Sequence, residues 1–325
     1  MTLPLLPTRQ GSRSSHTLTL ELSQSHPAEL EALRSPRSRL RRRLQHGLGR
    51  RLAAVNNLFF PTPLGRWLHA RLFAELEFEV VEVELPAPSA RIEWPTIAFL
   101  SDVHAGHYMT AKDLEGLAAR MAELRPDLVC LGGDLINHHV EELELLEPAL
   151  RLLDAPLGVF AVPGNHDYVE PAQLDEWTER LEAHGVQVLK NRGVRVRHGD
   201  GSLWLCGVDD LTEGEPRLVE ALAGRRAGEA SLLLSHHPDL FREASARGVD
   251  LQLSGHTHGG QIRIFGWSPL HHSQFGWVNG LYASGASRLY VGRGAGVTAL
   301  PIRIGTRAEI TLLKPRAAGR ESGVH

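Results

Sequence analysis

Cysteine is nearly absent from this chain of 325 residues: only Cys130 and Cys206 occur, each inside an apolar run. Two such thiols are expected to be free and buried, and they do not form the disulfide framework typical of small secreted domains. No apolar run approaches the roughly 20 residues of a membrane-spanning helix. A Gly-x-Ser-x-Gly motif, or a comparable cysteine motif, is also missing. Its absence argues against catalysis through a protein nucleophile.

Charge is distributed unevenly along the chain. Residues 1–52 contain ten arginines and three glutamates, a balance of +7; because the whole chain carries −3, residues 53–325 carry −10. An acidic main body is poorly suited to following a nucleic-acid backbone, so we expect no nucleic-acid partner.

The basic segment also has a helical pattern, because leucines recur at positions 40, 44, 48 and 52 among the arginines. This spacing predicts a partly helical, amphipathic segment that can rest on an anionic membrane surface. An extension that is disordered, or that packs on the main domain, is an equal alternative. The pair Arg50–Arg51 resembles part of a twin-arginine export signal, but two asparagines and two prolines between residues 56 and 63 interrupt the apolar core. We therefore expect a cytoplasmic protein, peripheral to the inner membrane if the basic segment binds there.

Five short polar segments each follow an apolar run: SDVH at 101–104, GGD at 132–134, GNHD at 164–167, SHHP at 235–238 and GHTHGG at 255–260. Asp102, Asp134 and Asn165 lie 32 and then 31 residues apart, about the length of one strand–helix–strand unit. Apolar residues at helical spacing occupy both intervals, at 114–124 and at 143–153. This pattern predicts β-α-β-α-β, in which the polar segments meet beyond the carboxyl ends of the strands.

The second half of the chain predicts more strands. Asp200–Gly201 separates two alternating runs and indicates a hairpin, so we expect antiparallel strands to follow the parallel ones. The predicted fold class is α/β, with two packed sheets flanked by helices. The predicted organisation is a basic, partly helical N-terminal extension (1–77), a main domain (78–315) and a flexible tail (316–325).

The residue types of the five segments suit a pair of divalent cations. Two cations held close together need several oxygen and nitrogen ligands and a bridging carboxylate, and Asp134 is the natural bridge. The candidate ligands are Asp102, His104, Asp134, Asn165, His236, His256 and His258. This mixed set favours manganese, with iron or zinc as alternatives, over calcium. His237 is an alternative to His236, and we interpret His107, His138, His139, His271 and His272 mainly as loop residues.

The motif series DxH, GD, GNHD, HxP and GHTH, present in full and in order from Asp102 to His258, resembles that of the calcineurin-like metallophosphoesterases. The resemblance implies a four-layer α/β/β/α fold. It also implies that Asp102, His104, Asp134 and His258 bind one metal, and that Asp134, Asn165, His236 and His256 bind the other. His166 would be the catalytic histidine that is not a ligand. The segments from SGHTHGGQI to AEITLL resemble the branch of YkuE- and YaeI-type bacterial phosphodiesterases, related to UDP-2,3-diacylglucosamine hydrolases, over about residues 78–315.

The resemblance implies a metal-dependent phosphoric ester hydrolase that cleaves a phosphoester or phosphoanhydride with metal-activated water. We expect a phosphodiesterase that acts on a lipid-linked or nucleotide-type substrate. UDP-2,3-diacylglucosamine pyrophosphatase activity is a narrower alternative, and a non-catalytic scaffold of the same fold is another. One departure concerns Asn137, where family members often carry an aspartate that orients the catalytic histidine. An amide can orient an imidazole but does not stabilise its cation as a carboxylate does.

Overall fold

The computed structural model describes residues 62, 78–88, 92–106, 108–168, 171–263, 268, 272–298 and 303–316. The predicted basic extension, except for residue 62, and residues 317–325 of the predicted tail lie outside the described residues. Within the described part, no helix has the length and apolar composition needed to span a bilayer.

The described residues contain strands β1 (Glu79–Leu85), β2 (Ile97–Leu100), β3 (Leu128–Leu131), β4 (Val159–Ala161), β5 (Val186–Val188), β6 (Arg192–His198), β7 (Gly201–Gly207), β8 (Ala230–Leu234), β9 (Leu251–Ser254), β10 (Gly280–Ser284), β11 (Ser287–Val291) and β12 (Glu309–Pro315). The α-helices are α1 (Ala111–Glu123), α2 (Leu143–Leu150), α3 (Pro171–Ala183), α4 (Leu218–Leu222) and α5 (Phe241–Ala246). Short 3₁₀ helices cover Val140–Glu142, Pro238–Leu240 and His258–Gly260.

The strands form two six-stranded sheets, and this arrangement confirms the predicted fold class. The first sheet has the order β1-β12-β2-β3-β4-β5. Its strands β2 to β5 are parallel, as the β-α-β-α-β pattern predicts. The last strand of the described residues, β12, inserts antiparallel to β2 and parallel to β1.

The second sheet has the order β10-β11-β9-β8-β7-β6. The predicted hairpin at Asp200–Gly201 joins β6 to β7. Antiparallel pairs follow the parallel strands, as expected, at β6–β7 and at β10–β11, whereas β7, β8, β9 and β11 are parallel to one another. Helix α4 connects β7 to β8 and α5 connects β8 to β9. Such crossover connections bring the next strand back in the same direction.

Alternate side chains of the buried strands pack in different clusters, so the core is divided into layers. In β2, Ala98 and Leu100 pack in the cluster that includes α1, α2 and α3, whereas Ile97 and Phe99 pack against the second sheet. A third cluster lies between the second sheet and helices α4 and α5. Because successive side chains of a strand point to opposite faces, both sheets are covered on each side in a helix–sheet–sheet–helix arrangement.

Local sequence signals explain the helix that separates the first two site strands. Thr110 caps α1 by accepting a hydrogen bond from the backbone of Asp113, and the Asp113 side chain accepts one from the Thr110 backbone. Leu114, Leu117 and Met121 are buried on one face.

Both cysteines, Cys130 and Cys206, are free and buried, as the sequence predicts. Burial raises the pKa of the Cys206 thiol to about 12.

Candidate metal centre

The predicted site residues follow the carboxyl ends of strands from both sheets. Asp102 and His104 follow β2, Asp134 follows β3 and Asn165 follows β4; His236 follows β8, and His256 and His258 follow β9. All seven side chains belong to buried residues. The two sheets therefore contribute donor atoms to one enclosed region, where a ligand is expected in an α/β fold.

Backbone hydrogen bonds continue past the strand ends and fix the site loops. The N–H of Asp102 donates to the carbonyl of Gly133 at 2.9 Å, and that of His104 donates to the carbonyl of Asp134 at 3.0 Å. The pairing of β2 with β3 thus extends into the polar segments. Asp102, His104 and Asp134 are held by main-chain contacts as well as by their side chains.

Five of the predicted ligands have left-handed backbone conformations: φ is 51° at Asp102, 48° at His104, 52° at Asp134, 71° at His256 and 52° at His258. This region costs an L-residue about 1 kcal/mol or more, although aspartate and histidine enter it more readily than most residues. Because the left-handed conformation recurs at five of the predicted ligands, the loops that carry these residues hold strained backbone at the site.

Two motif glycines allow the site loops to approach closely. A Cβ at Gly164 would lie 2.3 Å from Oδ1 of Asp134, and a Cβ at Gly255 would lie 2.3 Å from Oδ2 of Asp102. Either contact is shorter than atoms tolerate. The glycines of the GNHD and GHTH motifs are therefore required by the carboxylates beside them.

One group of donor atoms gathers around Asp102. Nε2 of His104 lies 3.1 Å from Nε2 of His258, and the latter nitrogen lies 3.4 Å from Oδ1 of Asp102. Nε2 of His104 also lies 3.6 Å from Oδ2 of Asp134. These atoms are close enough to bind one cation together.

A second group gathers around His236. Its Nε2 lies 3.2 Å from Oδ2 of Asp134 and 3.3 Å from Nδ1 of His256. That Nδ1 is 2.9 Å from the amide oxygen of Asn165. Oδ2 of Asp134 therefore contacts both groups, as expected of a bridging ligand. His237, the alternative to His236, instead accepts a hydrogen bond from the backbone N–H of Asp239.

The electrostatics of the site favour neutral histidines in the first group. Burial, together with neighbouring histidines, holds the pKa of His104 and of His258 well below the usual range. Neutral imidazole is the form that binds metal ions. Burial raises the pKa of Asp102 to about 6.

Asp134 and His236 form the strongly ionic pair of the second group. Burial opposes the charge of the Asp134 carboxyl, but His236, His166 and His104 hold its pKa well below the usual range. Burial also opposes protonation of His236, and the charge of Asp134 outweighs it and raises the pKa of His236 to about 10. Two carboxylates, an amide oxygen and four histidines thus meet in a buried space, and a divalent cation would replace the proton on His236, because metal binding requires the neutral ring.

His166 lies beside both groups and is only partly buried. Its backbone N–H donates to Oδ1 of Asp134 at 2.8 Å, and its ring meets that of His104 edge-on with centroids 4.6 Å apart. Nδ1 lies 2.7 Å from the backbone carbonyl of Asn137. A hydrogen on Nδ1 makes this a hydrogen bond and leaves Nε2 to exchange a proton. The carbonyl, rather than the Asn137 side chain, orients the ring; the buried side-chain oxygen has no hydrogen-bond partner among the described residues.

Comparison with known proteins identifies the family. The model of the calcineurin-like phosphoesterases matches residues 95–260. A Bacillus subtilis (strain 168) protein named uncharacterized metallophosphoesterase YkuE is 34% identical over 225 residues, which cover 66% of this chain and 77% of that protein. The chain belongs to the calcineurin-like phosphoesterase family.

Other relatives are longer than the matched region. A Danio rerio protein named transmembrane protein with metallophosphoesterase domain is 32% identical over 251 residues, or 72% of this chain and 56% of that protein. Among solved structures, a Thermus thermophilus sulfate thiohydrolase, SoxB, has a TM-score of 0.42 at 18% identity, covering 67% of this chain and 56% of the other. The family and the clustered donor residues together indicate a metal-dependent phosphoester hydrolase that uses divalent metal ions.

Sequence reasoning missed the role of Asp167 in this calcineurin-like phosphoesterase. Its Oδ1 accepts hydrogen bonds from the backbone of Leu135 and Ile136, and its Oδ2 accepts from Asp134 and Gly164. One buried carboxylate thus fastens the GGD loop to the GNHD loop. Burial and the charge of Asp134 raise the pKa of Asp167 to about 7, against the effect of these donors. The signal was available, because Asp167 is the last residue of the GNHD motif.

The remaining predicted histidines lie around the rim or outside the described residues. The ring of His138 is 5.6 Å from that of His166, and the ring of His272 is 5.6 Å from that of His256. His139 is exposed. The two others, His107 and His271, lie outside the described residues.

Proposed function

We propose that this calcineurin-like phosphoesterase is a phosphodiesterase with a dinuclear metal centre, cleaving phosphodiesters or phosphoanhydrides of the lipid-linked or nucleotide type. One observation carries the proposal. Oδ2 of Asp134 lies 3.6 Å from Nε2 of His104 and 3.2 Å from Nε2 of His236, which belong to different groups of donor atoms. A single carboxylate oxygen shared in this way is what two adjacent cations require.

The proposed ligands of one metal are Asp102, His104, Asp134 and His258, and those of the other are Asp134, Asn165, His236 and His256. Manganese suits this set of oxygen and nitrogen donors, as do iron and zinc. When bound, the two ions supply positive charge to phosphate oxygens and lower the pKa of water at the site. The protein residues orient the ions, exclude solvent through burial, and provide a proton donor.

His166 is the proposed proton donor to the departing oxygen. Its Nδ1 is engaged by the carbonyl of Asn137, so Nε2 exchanges the proton. A carbonyl acceptor stabilises the protonated ring less than a carboxylate does. An alkoxide leaving group from a diester is strongly basic and needs this proton, which supports a role for His166 in diester cleavage.

A lipid-linked nucleotide is the proposed substrate class, with UDP-2,3-diacylglucosamine as its narrower form. The basic, leucine-spaced segment of residues 1–52 supports it, because a segment of this composition can hold the enzyme at an anionic inner-membrane surface from the cytoplasmic side. The name of the Danio rerio relative also refers to a membrane. The intact set of seven donor residues with His166 argues against a non-catalytic scaffold.

The test is a product assay after loading chelator-stripped protein with Mn²⁺. The substrates are a nucleotide-sugar lipid, a cyclic nucleotide, an alkyl aryl diester and the matching aryl monoester, with products identified by mass spectrometry. We expect metal-dependent hydrolysis of the diesters and of the pyrophosphate link. Turnover of the monoester alone would contradict the diesterase proposal, and equal turnover without metal would contradict the metal centre.

A further inference from the structure

Arg303 lies beside His258, and the hydrogen bonds that it makes with the described residues go to main-chain carbonyls and to the His258 ring. Its Nη2 donates to the carbonyls of Gly294 at 3.0 Å and Gly296 at 2.5 Å, and its Nε donates to Gly296 at 3.0 Å. Its Nη1 donates to the carbonyl of His258 at 3.3 Å. One guanidinium therefore joins the loop after β11 to the segment after β9.

The loop after β11 is in turn fastened to Asp102. The N–H of Ala295 donates to the carbonyl of Ser101 at 3.0 Å, and that of Gly296 donates to the carbonyl of Asp102 at 2.7 Å. A Cβ at Gly294 would lie 2.6 Å from Cβ of Asp102, so the loop is in tight contact with this residue. Arg303 thus contacts His258 directly and Asp102 through one intervening segment.

Arg303 differs from two other partly buried arginines of the described part of the chain, which form ion pairs. Arg225 pairs with Asp250 at 3.1 Å, and Arg195 pairs with Glu229 at 2.7 Å. Among the described residues Arg303 has no carboxylate within ion-pair distance, and its N–H groups donate to main-chain carbonyls instead. The hydrogen bonds of this planar, partly buried guanidinium fix the geometry of two site segments.

We propose that Arg303 is a positioning residue that holds Asp102 and His258 in place as ligands of the same metal ion. The inference rests on the proposed metal centre. The positioning role applies to one metal position, because the ligands of the second group are held by other contacts. Nδ1 of His236 lies 2.8 Å from the carbonyl of Gly132, and Nδ1 of His256 lies 2.9 Å from the amide oxygen of Asn165. Loss of an outer contact to a metal ligand typically lowers metal affinity roughly 10- to 100-fold.

The experiment measures Mn²⁺ binding to full-length, chelator-stripped protein by calorimetric titration, with metal content by elemental analysis after gel filtration. The variant Arg303→Lys keeps the charge and cannot reach three carbonyls at once. Arg225→Lys is the matched control, since Arg225 donates to the carbonyls of Glu229 at 2.9 Å and Gly248 at 2.7 Å at the opposite, amino ends of β8 and β9. Denaturation of each metal-free protein separates stability from metal binding.

We expect Arg303→Lys to bind one Mn²⁺ as the wild type does and the other about tenfold or more weakly, whereas Arg225→Lys binds both normally. In a His258→Ala background, which already lacks that position, Arg303→Lys should change nothing further. Wild-type affinities in Arg303→Lys, or equal losses in the control, would overturn the inference. Wild-type protein that binds no Mn²⁺ would instead overturn the metal centre.

Arg303→Gln, which keeps an amide donor without the charge, is the second variant if the lysine variant is unfolded. Loss of one tight site in folded Arg303→Gln supports the proposal. Failure of both variants to fold while Arg225→Lys folds would assign Arg303 a structural role alone, and the proposal would be wrong.

Discussion

The two oxygens of Asp134 have different partners, and this division gives the side chain its importance at the site. Oδ1 accepts a hydrogen bond from the backbone of His166, while Oδ2 faces His104 and His236. An amide of the same shape could keep one of these roles and not both. Replacement of Asp134 therefore affects both proposed metal positions at once.

We predict that Asp134→Asn stays folded, loses bound metal and loses nearly all hydrolysis, because the bridging negative charge is removed. Elemental analysis and an aryl diester assay measure the two effects. Asp127→Asn is the control: Asp127 lies before β3, at its other end, where it accepts a hydrogen bond from the Thr96 backbone at 2.8 Å. Two full equivalents of metal in Asp134→Asn would show that Asp134 does not bridge.

A second residue-scale prediction separates proton donation from metal binding. His166→Gln should retain both metals and lose roughly 100-fold or more in kcat toward an alkyl diester, with a much smaller loss toward an activated aryl diester. The activated leaving group needs little protonation. His139→Gln, an exposed neighbour, serves as the control. A similar loss on both substrates, or loss of metal, would remove the proton-donor role.

At the scale of strands and helices, buried apolar runs that end in polar motifs were predictable from sequence. The runs before Asp102, Asp134 and Asn165 correspond to β2, β3 and β4, because strands buried on both faces carry continuous apolar residues. The insertion of β12 next to β2 was not predictable, since an apolar run does not specify its partner strand. The same limit applies to Arg303, whose partners are carbonyls of residues far away in sequence or across a loop.

Glu229 ties three strands of the second sheet together and gives a test of pH dependence. It follows α4 and precedes β8, and it accepts hydrogen bonds from Arg195 on β6 at 2.7 Å and Ser202 on β7 at 2.6 Å. Burial opposes its charge, but these donors and the backbone N–H of Arg226 lower the pKa of Glu229 to about 2. The folded value lies below the ordinary 4.5, so ionised Glu229 stabilises the fold above that pH.

We predict that Glu229→Gln lowers the free energy of unfolding by about 2 kcal/mol at pH 7, because a charged acceptor is lost. The difference from wild type should shrink as pH falls from about 4.5 toward 2, where the carboxylate becomes protonated. Urea denaturation across this range measures it. Glu123→Gln is the control, because its pair with Arg120 is exposed and contributes less than about 1 kcal/mol. A difference that grows on acidification would contradict the assigned ionisation.

At the scale of the whole chain, opposite charges are separated between residues 1–52 and the rest. On our proposal the N-terminal balance of +7 would attract acidic lipids, whereas the −10 of residues 53–325 would be repelled by them. Every proposed ligand lies at or after Asp102. The proposed membrane attachment and the proposed catalysis should therefore be separable by truncation.

We predict that full-length protein sediments with vesicles containing phosphatidylglycerol at low salt and that protein lacking residues 1–52 does not. Binding should weaken with added salt, because salt screens the attraction between arginines and acidic lipids. It should persist in part, because salt does not screen the burial of leucine side chains in the bilayer. Hydrolysis of a soluble aryl diester should be unchanged in the truncated protein, and neutral vesicles serve as the control. Equal sedimentation of both proteins would remove the membrane role of this segment.

The left-handed backbone at Asp102, His104, Asp134, His256 and His258 has a consequence for how this chain tolerates mutation. At each position glycine would relax the backbone by about 1 kcal/mol while deleting a donor atom. Selection for stability and selection for activity therefore act in opposite directions at these five positions. In a homologue that no longer needs catalysis, glycine at any of these five positions would increase the stability of the fold. This chain carries a donor-bearing side chain at all five strained positions, which is the arrangement that selection for chemistry, rather than for stability alone, predicts.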